Sequence, residues 1–316
     1  MKNPVCMLCS STTNTVIRKT LRYEIKRDVL QCTRCSLVFL APQSGATAYY
    51  TGKAYRKRHG PTLHKASSMR EIFDAYFPHQ GPIVEAVRTH LRPSMKILDV
   101  GCSTGHFLAA LKGKAKERIG LELGKDEASF IRKNLDFKVY TNPIESAHIA
   151  EGPFDLITAL QVLEHVPEPK SFLHGISRHL KPNGLLYLEL PNIDDVLLSV
   201  FGVKGYADFY FREPHVCYYS KKTLKTLLSK AGFVGEFGTV QRYSFYNHLH
   251  WIQTGRPQAS FADGNTIPEV AKGAGAPFRA KKEITAFLHD ANLQYQKLVE
   301  KHMLGESLTF WGRKMF

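Results

Sequence analysis

From Lys96 onward, short apolar runs recur at regular intervals, and the stretches between them space their apolar residues three and four apart. "KILDV", "RIGLEL", "FKVY", "FDLITAL" and "GLLYLEL" are short, rich in branched side chains and bounded by turn residues, so they read as buried strands. "GHFLAALKGK", "KDEASFIRKNL", a short "NPIESAHI" and "PKSFLHGISRHLKPNG" read as the helices between them, the last ending at a Gly in a stop position. Strands alternating with helices predict a mostly parallel sheet covered on both faces. "GFVGEFGTVQRYSF" and, much later, "ESLTFWGRKM" bring the sheet to seven strands. Residues 243–305 lie between those two as an insertion whose long helix is "AKKEITAFLHDANLQYQKLVEKHM".

Ahead of Lys96 the pattern changes. "STTNTVIRKTLRYEIKRDVLQ" alternates apolar and polar residues in short runs, as a small hairpin does, and it is flanked by "CMLC" and "CTRC". Each C-x-x-C turn directs two sulfurs toward one point, so Cys6, Cys9, Cys32 and Cys35 have the spacing of a four-thiolate tetrahedral zinc site. A redox pair or two disulfides are the alternatives. A closed four-thiolate site is structural, and a core this small needs the metal to fold. Cys102 and Cys217 remain, as small apolar residues suited to burial. "APQSGATAYYTGKAYRKRHGP" has the composition of a linker, whose tyrosines and basic residues could also stack on a base or sugar and neutralise a phosphate. "SSMREIFDAYFPHQGPIVEAVRTHLRP" gives two helical patterns, broken near Pro78 to Pro82, that could cap the next domain. The expected organisation is therefore a zinc ribbon over 1–42, a linker and helical cap over 43–95, and an α/β domain over 96–316.

The formal charge is +15 over 316 residues, and residues 1–94 alone carry +10. This suggests an acidic partner such as a nucleotide diphosphate, a nucleic acid or an anionic polymer, with a solvated basic face as the alternative. No run of eighteen apolar residues exists, and the opening "MKNPVCMLCSS" lacks the apolar core of a secretory signal. A soluble cytoplasmic protein without a membrane span is the expectation.

The turn in "ILDVGCSTGHFLAAL" lacks the Lys-Ser/Thr of a phosphate loop and the third Gly of the dinucleotide fingerprint. It keeps Asp99 at the strand end, Gly101 and Gly105 around a tight turn, and a helix start. Twenty-one residues after Gly101, Glu122 closes the second strand, where a carboxylate can accept both hydroxyls of a ribose. A nucleoside without phosphates fits these features better than a nucleotide.

On these residues the chain resembles the class I S-adenosylmethionine-dependent methyltransferases, with their Rossmann-like seven-stranded sheet. "LDVGCSTGHF" is similar to their first motif, "GLEL" to the acidic second, and "FDLITALQVLEHVPEPKSFL" followed by "HLKPNGLLYLELPN" to the fourth- and fifth-strand regions. The resemblance implies S-adenosyl-L-methionine as cofactor. Gly101 and Gly105 would line its methionine moiety, Asp99 would hold its surroundings, and Gln161 would lie near the methionine end. Glu122 would bind the ribose, Leu123 would pack on the adenine, and Ile144 with Glu145 would border the adenine edge. Ser103 stands where many members have Gly.

A ribbon ahead of this core is similar to the sugar C-methyltransferases of nucleotide-linked deoxysugars, whose site loop has His, two residues, then Tyr-Phe-Ser. "REPHVCYYSKKTLKTLL" offers His215, Tyr218, Tyr219 and Ser220 in that spacing. The resemblance implies His215 as a base toward a carbon or oxygen nucleophile, with Tyr218 orienting the substrate; a packed loop histidine is the alternative. Those enzymes carry a further C-terminal domain that this chain replaces by its insertion. "QVLEHV" also resembles metal-assisted O-methyltransferases, with Glu164, His165 and a distant His215 as divalent-ion ligands but Gln161 in place of their first Glu. Three functions follow: methyl transfer to a sugar, glycan or related small metabolite; RNA methylation with the ribbon gripping phosphate; or a non-catalytic zinc and nucleoside binding module.

Overall fold

The computed structural model describes residues 4–42, 68–267 and 278–315. At the N-terminus β1 (Asn14–Thr20) and β2 (Lys26–Cys32) form the expected antiparallel hairpin, and β3 (Val38–Leu40) pairs with β2. The "YYTGKAYRKRHG" segment lies outside the described residues. Two helices follow, α1 (Met69–Tyr76) and α2 (Gly81–Arg88), separated by a 3-10 turn at Phe77–His79. Ser68 and Glu71 close a reciprocal cap on α1, which satisfies backbone donors that the first helical turn leaves over.

The α/β domain runs β4 (Lys96–Val100), α3 (His106–Ala110), β5 (Glu117–Leu121), α4 (Lys125–Asn134), β6 (Lys138–Tyr140), β7 (Phe154–Leu160), α5 (Pro169–His179) and β8 (Leu180–Pro191). It continues through α6 (Val196–Ser199), α7 (Lys204–Tyr210), β9 (Cys217–Tyr218), α8 (Lys221–Lys230) and β10 (Phe233–Val240). The insertion follows as α9 (Phe245–Thr254), α10 (Phe261–Asn265) and α11 (Phe278–Lys301), before the last strand β11 (Ser307–Lys314).

Seven strands make one sheet in the order β10-β11-β8-β7-β4-β5-β6, parallel except where β11 runs against both neighbours. This is the mostly parallel α/β sheet predicted. The pleat sends alternate residues to opposite faces. Leu98 and Val100 of β4 and Leu186, Leu188 and Leu190 of β8 pack with α5, α8 and the ribbon. Ile97 and Tyr187 pack on the other face with α2, α3 and α4.

Two local expectations are corrected. "NPIESAHI" is a turn, with Pro143 O accepting from Ser146 and Ala147 N–H, because its apolar residues Ile144 and Ile149 are inserted individually into the core. Gly184 does not end a helix: α5 stops at His179 and the chain passes directly into β8. A Cβ at Gly184 would lie 3.0 Å from the carbonyls of Lys181 and Phe154, so the glycine serves an irregularity in the β7–β8 pairing.

The ribbon's sheet is not completed within residues 1–42. Its order is β1-β2-β3-β9, with Val38 opposite Tyr218 and Phe39 opposite Cys217. Cys6, Leu8, Leu30, Cys32, Leu37 and Phe39 join Val216, Cys217, Tyr219 and Leu224 in one buried cluster. Among the described residues no helix is long and apolar enough to cross a membrane.

Candidate functional site

The C-terminal ends of β4, β5 and β7 open on one side of the sheet, where connections between parallel strands leave a crevice. After β4 the chain turns through Gly101 and Gly105, with φ of 75° and 79°. Their bare Cα atoms also allow close packing: a Cβ would lie 2.5 Å from Val162 at Gly101, and 2.7 Å from Phe137 at Gly105. Gly105 therefore seats the start of α3 on apolar neighbours. Ser103, between them, accepts a left-handed φ of 51°.

Glu122 joins the two turns. Its carboxylate accepts the Ser103 N–H at 2.8 Å from the first turn and the Gly124 N–H at 2.8 Å from the second. Burial raises its pKa, against the pull of those backbone donors. The adjacent Leu123 is 50% exposed, an apolar surface at the mouth of the sheet. Asp99 is buried on β4 and accepts a 2.6 Å hydrogen bond from Thr158 Oγ1 on β7. Burial pushes its pKa up to about 7, opposed by Thr158 and assisted by the charge of Glu122.

The other cofactor candidates are placed less uniformly. Ile144 is buried in the core, so its side chain does not face the opening and only its backbone can border a ligand. Glu145 is half-buried beside it, its carbonyl bonded to Arg178. Gln161 sits at the end of β7 with φ 58°, its side-chain amide donating to Glu189 and Ser307.

A second constellation follows Val162, which packs against Gly101. The loop before β9 carries Arg212 and His215, β9 itself carries Tyr218, and a 3-10 turn after β7 carries Glu164 and His165. Arg212 Nε–H donates to His215 Nε2 at 2.8 Å. Guanidinium has only donors, so this His215 nitrogen presents its lone pair. Tyr218 is buried, and its hydroxyl both accepts from Arg212 N–H and donates to Arg212 C=O, each at 3.0 Å. The Tyr218 hydroxyl thereby holds the backbone of Arg212.

Glu164 is 1% exposed, and neither carboxylate oxygen has a hydrogen-bond partner among the described residues. Burial pushes its pKa up to about 8. Oε1 lies 3.7 Å from His165 Nε2 and 4.0 Å from His215 Nε2. One carboxylate and two imidazoles within 4.8 Å of one another form a set that could take a divalent ion. Gln161 points instead to Glu189 and Ser307, so it supplies no further ligand. Sequence reasoning missed Arg212, Tyr76 and Tyr243. Burial raises the pKa of both tyrosines, and the Arg212 charge acts on each. The signal for Arg212 was a basic residue three positions before the histidine.

In the ribbon, Cys6 and Cys35 sulfurs are 3.5 Å apart, as are those of Cys9 and Cys32, and all four lie within 4.8 Å of one another. A disulfide would bring sulfurs to about 2.05 Å, whereas thiolates about 2.3 Å from a tetrahedral ion stand roughly 3.8 Å apart. The geometry excludes the two-disulfide alternative and fits the ion. Cys102 is buried on the other face of the sheet, and Cys217 is buried in the cluster that contains Cys6 and Cys32 without belonging to the four-sulfur group.

Residues 77–236, about half of the chain, match the family described as Methyltransferase domain. The chain belongs to this family, and its mostly parallel seven-stranded sheet is the Rossmann-like fold of a methyltransferase domain. Its curated relatives include the ubiquinone biosynthesis O-methyltransferase of Aliivibrio fischeri, 29% identical over 117 residues, covering 34% of this chain and 50% of that protein. The corresponding enzyme of Thiobacillus denitrificans is 31% identical over 119 residues, with the same coverage of 34% and 50%. The chain thus spans about half the length of the curated relatives it matches. A solved S-adenosylmethionine-dependent methyltransferase from Archaeoglobus fulgidus is 16% identical, with 78% of this chain and 96% of that one covered and a TM-score of 0.48.

Proposed function

We propose that the protein transfers a methyl group from S-adenosyl-L-methionine to a small-molecule acceptor, a sugar or nucleotide-linked sugar, at carbon or oxygen. The observation that carries this is the pairing of two sites across one crevice. A carboxylate gathers the turns after β4 and β5, and the loop bearing the histidine is tied to them through Tyr76, whose ring contacts His106 at the start of α3 and which feels the Arg212 charge. The relatives named O-methyltransferases support a small acceptor. The sugar is favoured by the ribbon together with the His215 to Ser220 spacing.

Glu122 fits a ribose, because each of its oxygens spends one lone pair on a backbone N–H and a carboxylate oxygen has another to offer. Leu123 gives the adenine an apolar face, and the backbone around Gly101 borders the methionine end. The cofactor supplies an electrophilic methyl on sulfur. The protein brings the acceptor atom into line with it and keeps water away, and such orientation is worth several kcal/mol of the barrier. His215 takes the acceptor's proton on Nε2, once that nitrogen is exchanged from Arg212 to the acceptor. We also assign a structural zinc to Cys6, Cys9, Cys32 and Cys35, with residues 1–42 as the ribbon, 43–95 as linker and cap, and 96–316 as the transferase domain.

The test is incubation of the zinc-loaded protein with S-adenosylmethionine labelled in its methyl group against separate pools of nucleotide sugars, polysaccharide and RNA. Label should enter the sugar pool, and His215→Ala should slow that transfer by roughly two to four powers of ten, the usual worth of a general base. Label entering RNA alone would replace this reading with RNA methylation, and label entering nothing would leave a binding module.

A further inference from the structure

Among the described residues, two arginines on the acceptor side, Arg22 and Arg212, have no salt-bridge partner, although the Arg212 charge reaches the buried Glu164 carboxylate. Arg22, at the tip of the ribbon hairpin, is buried. Its guanidinium lies 3.3 Å from the ring centroid of Phe209, its Nε–H donates to Phe209 C=O at 2.6 Å, and its backbone N–H donates to Phe211 C=O at 2.6 Å. The hairpin is therefore clamped onto the segment that leads directly into Arg212. Arg212 is held by Tyr218 at its backbone and by His215 at Nε.

The two guanidiniums lie within electrostatic reach of each other: burial first, then the Arg212 charge, bring the pKa of Arg22 down to about 9. The charges of Arg212, Arg27 and Arg22 all act at the Tyr218 hydroxyl, and those of Arg212 and Arg22 act at Tyr243. Neighbouring arginines have acidic partners, Arg18 with Asp208 and Arg242 with Glu189 at 2.7 Å. Among the described residues neither Arg22 nor Arg212 has one. Like charges brought together away from water are unfavourable, and an anion seated between the buried Arg22 and the half-buried Arg212 reverses the sign of that interaction. A guanidinium whose Nε is committed still presents its outer fork, which matches a carboxylate or phosphate bidentately.

We propose that Arg22 and Arg212 form an anion subsite, shared between the ribbon and the transferase domain, that holds the phosphate or carboxylate of the methyl acceptor. It rests on the proposed function in one respect, that the acceptor enters on the His215 side. The ribbon then belongs to the substrate site, and its hairpin tip selects acidic acceptors over neutral ones of the same size.

The test titrates the zinc-containing full chain, saturated with S-adenosylhomocysteine, with inorganic pyrophosphate and separately with galacturonate. At least one should bind at a single saturable site. Arg22→Gln and Arg212→Gln should each weaken that binding by at least roughly tenfold, and the affinity for S-adenosylhomocysteine should stay unchanged. Pyrophosphate binding identifies a phosphate subsite, and galacturonate binding alone a carboxylate subsite. Should Arg22→Gln lose zinc, Arg212→Gln and Tyr218→Phe, which removes only the hydroxyl gripping Arg212, carry the test and should weaken the anion in the same order. No saturable binding of either anion, or unchanged affinity in the variants, overturns the subsite. Failure of S-adenosylhomocysteine to bind would instead strike the methyltransferase reading and leave the anion titrations standing on their own.

Discussion

Asp99 shows how one residue can serve both the fold and the site. It lies on a central strand beneath the glycine turn, where Thr158 offers it a hydrogen bond, and burial raises its pKa to about 7 from 3.8. A carboxyl whose folded-state pKa is raised stabilises the fold while it stays protonated. That contribution is complete below about pH 4, falls as pH rises, and is gone above about pH 7. Asp99→Asn keeps an oxygen for Thr158 and cannot ionise. We expect the variant to gain about 2 kcal/mol on the parent between about pH 5.5 and about pH 8, read as the difference between denaturant unfolding curves at the two pH values. Equal pH dependence in both proteins would mean that Asp99 is already ionised in the fold. The sequence marked this residue through its place at a strand end. It could not show the proton, which depends on a threonine fifty-nine positions away.

At the scale of elements, the two-residue strand β9 links the ribbon to the acceptor loop. It pairs with Val38 and Phe39, and Cys217 Sγ lies 3.4 Å from Met7 Sδ in the first knuckle. The zinc proposed for the four cysteines would supply most of the folding energy of so small a module, on the order of 10 kcal/mol. Loss of the ion should thus release β9, and with it the positions of Arg212 and His215. Cys32→Ser should abolish zinc in elemental analysis and lower methyl transfer far more than S-adenosylhomocysteine affinity, since β4 and β5 stay packed between α2–α4 and α5. Transfer that survives zinc loss would detach the ribbon from the site. The seven strands of the main sheet were legible because each is an apolar run with turn residues at both ends. β9 was not legible, since "CY" becomes a strand only through pairing with residues some 180 positions earlier. "NPIESAHI" misled in the opposite sense: its apolar residues are spaced like a helix and serve two separate core positions.

Across the whole molecule the two halves of the site differ in how they are encoded. The proposed nucleoside side comes from consecutive turns of one βαβ pattern, Gly101 to Gly105 and Glu122 to Gly124, so a short sequence window contains it. The proposed acceptor side gathers Arg22 from the ribbon, Tyr76 from the cap, Arg212 and His215 from one loop, and Tyr243 from the start of the insertion. No spacing rule connects these positions; only the docking of ribbon, cap and insertion on one sheet does. The claim on which the account rests is that the crevice between β4 and β5 holds the nucleoside of S-adenosylmethionine through Glu122. Calorimetric titration of S-adenosylhomocysteine into the zinc-loaded protein tests this most directly. One site per chain is expected, with Glu122→Ala weakening it by roughly ten- to a hundredfold, the loss of an anchoring charged hydrogen-bond pair. Unchanged affinity in the variant, with its unfolding curve like the parent's, would contradict the account.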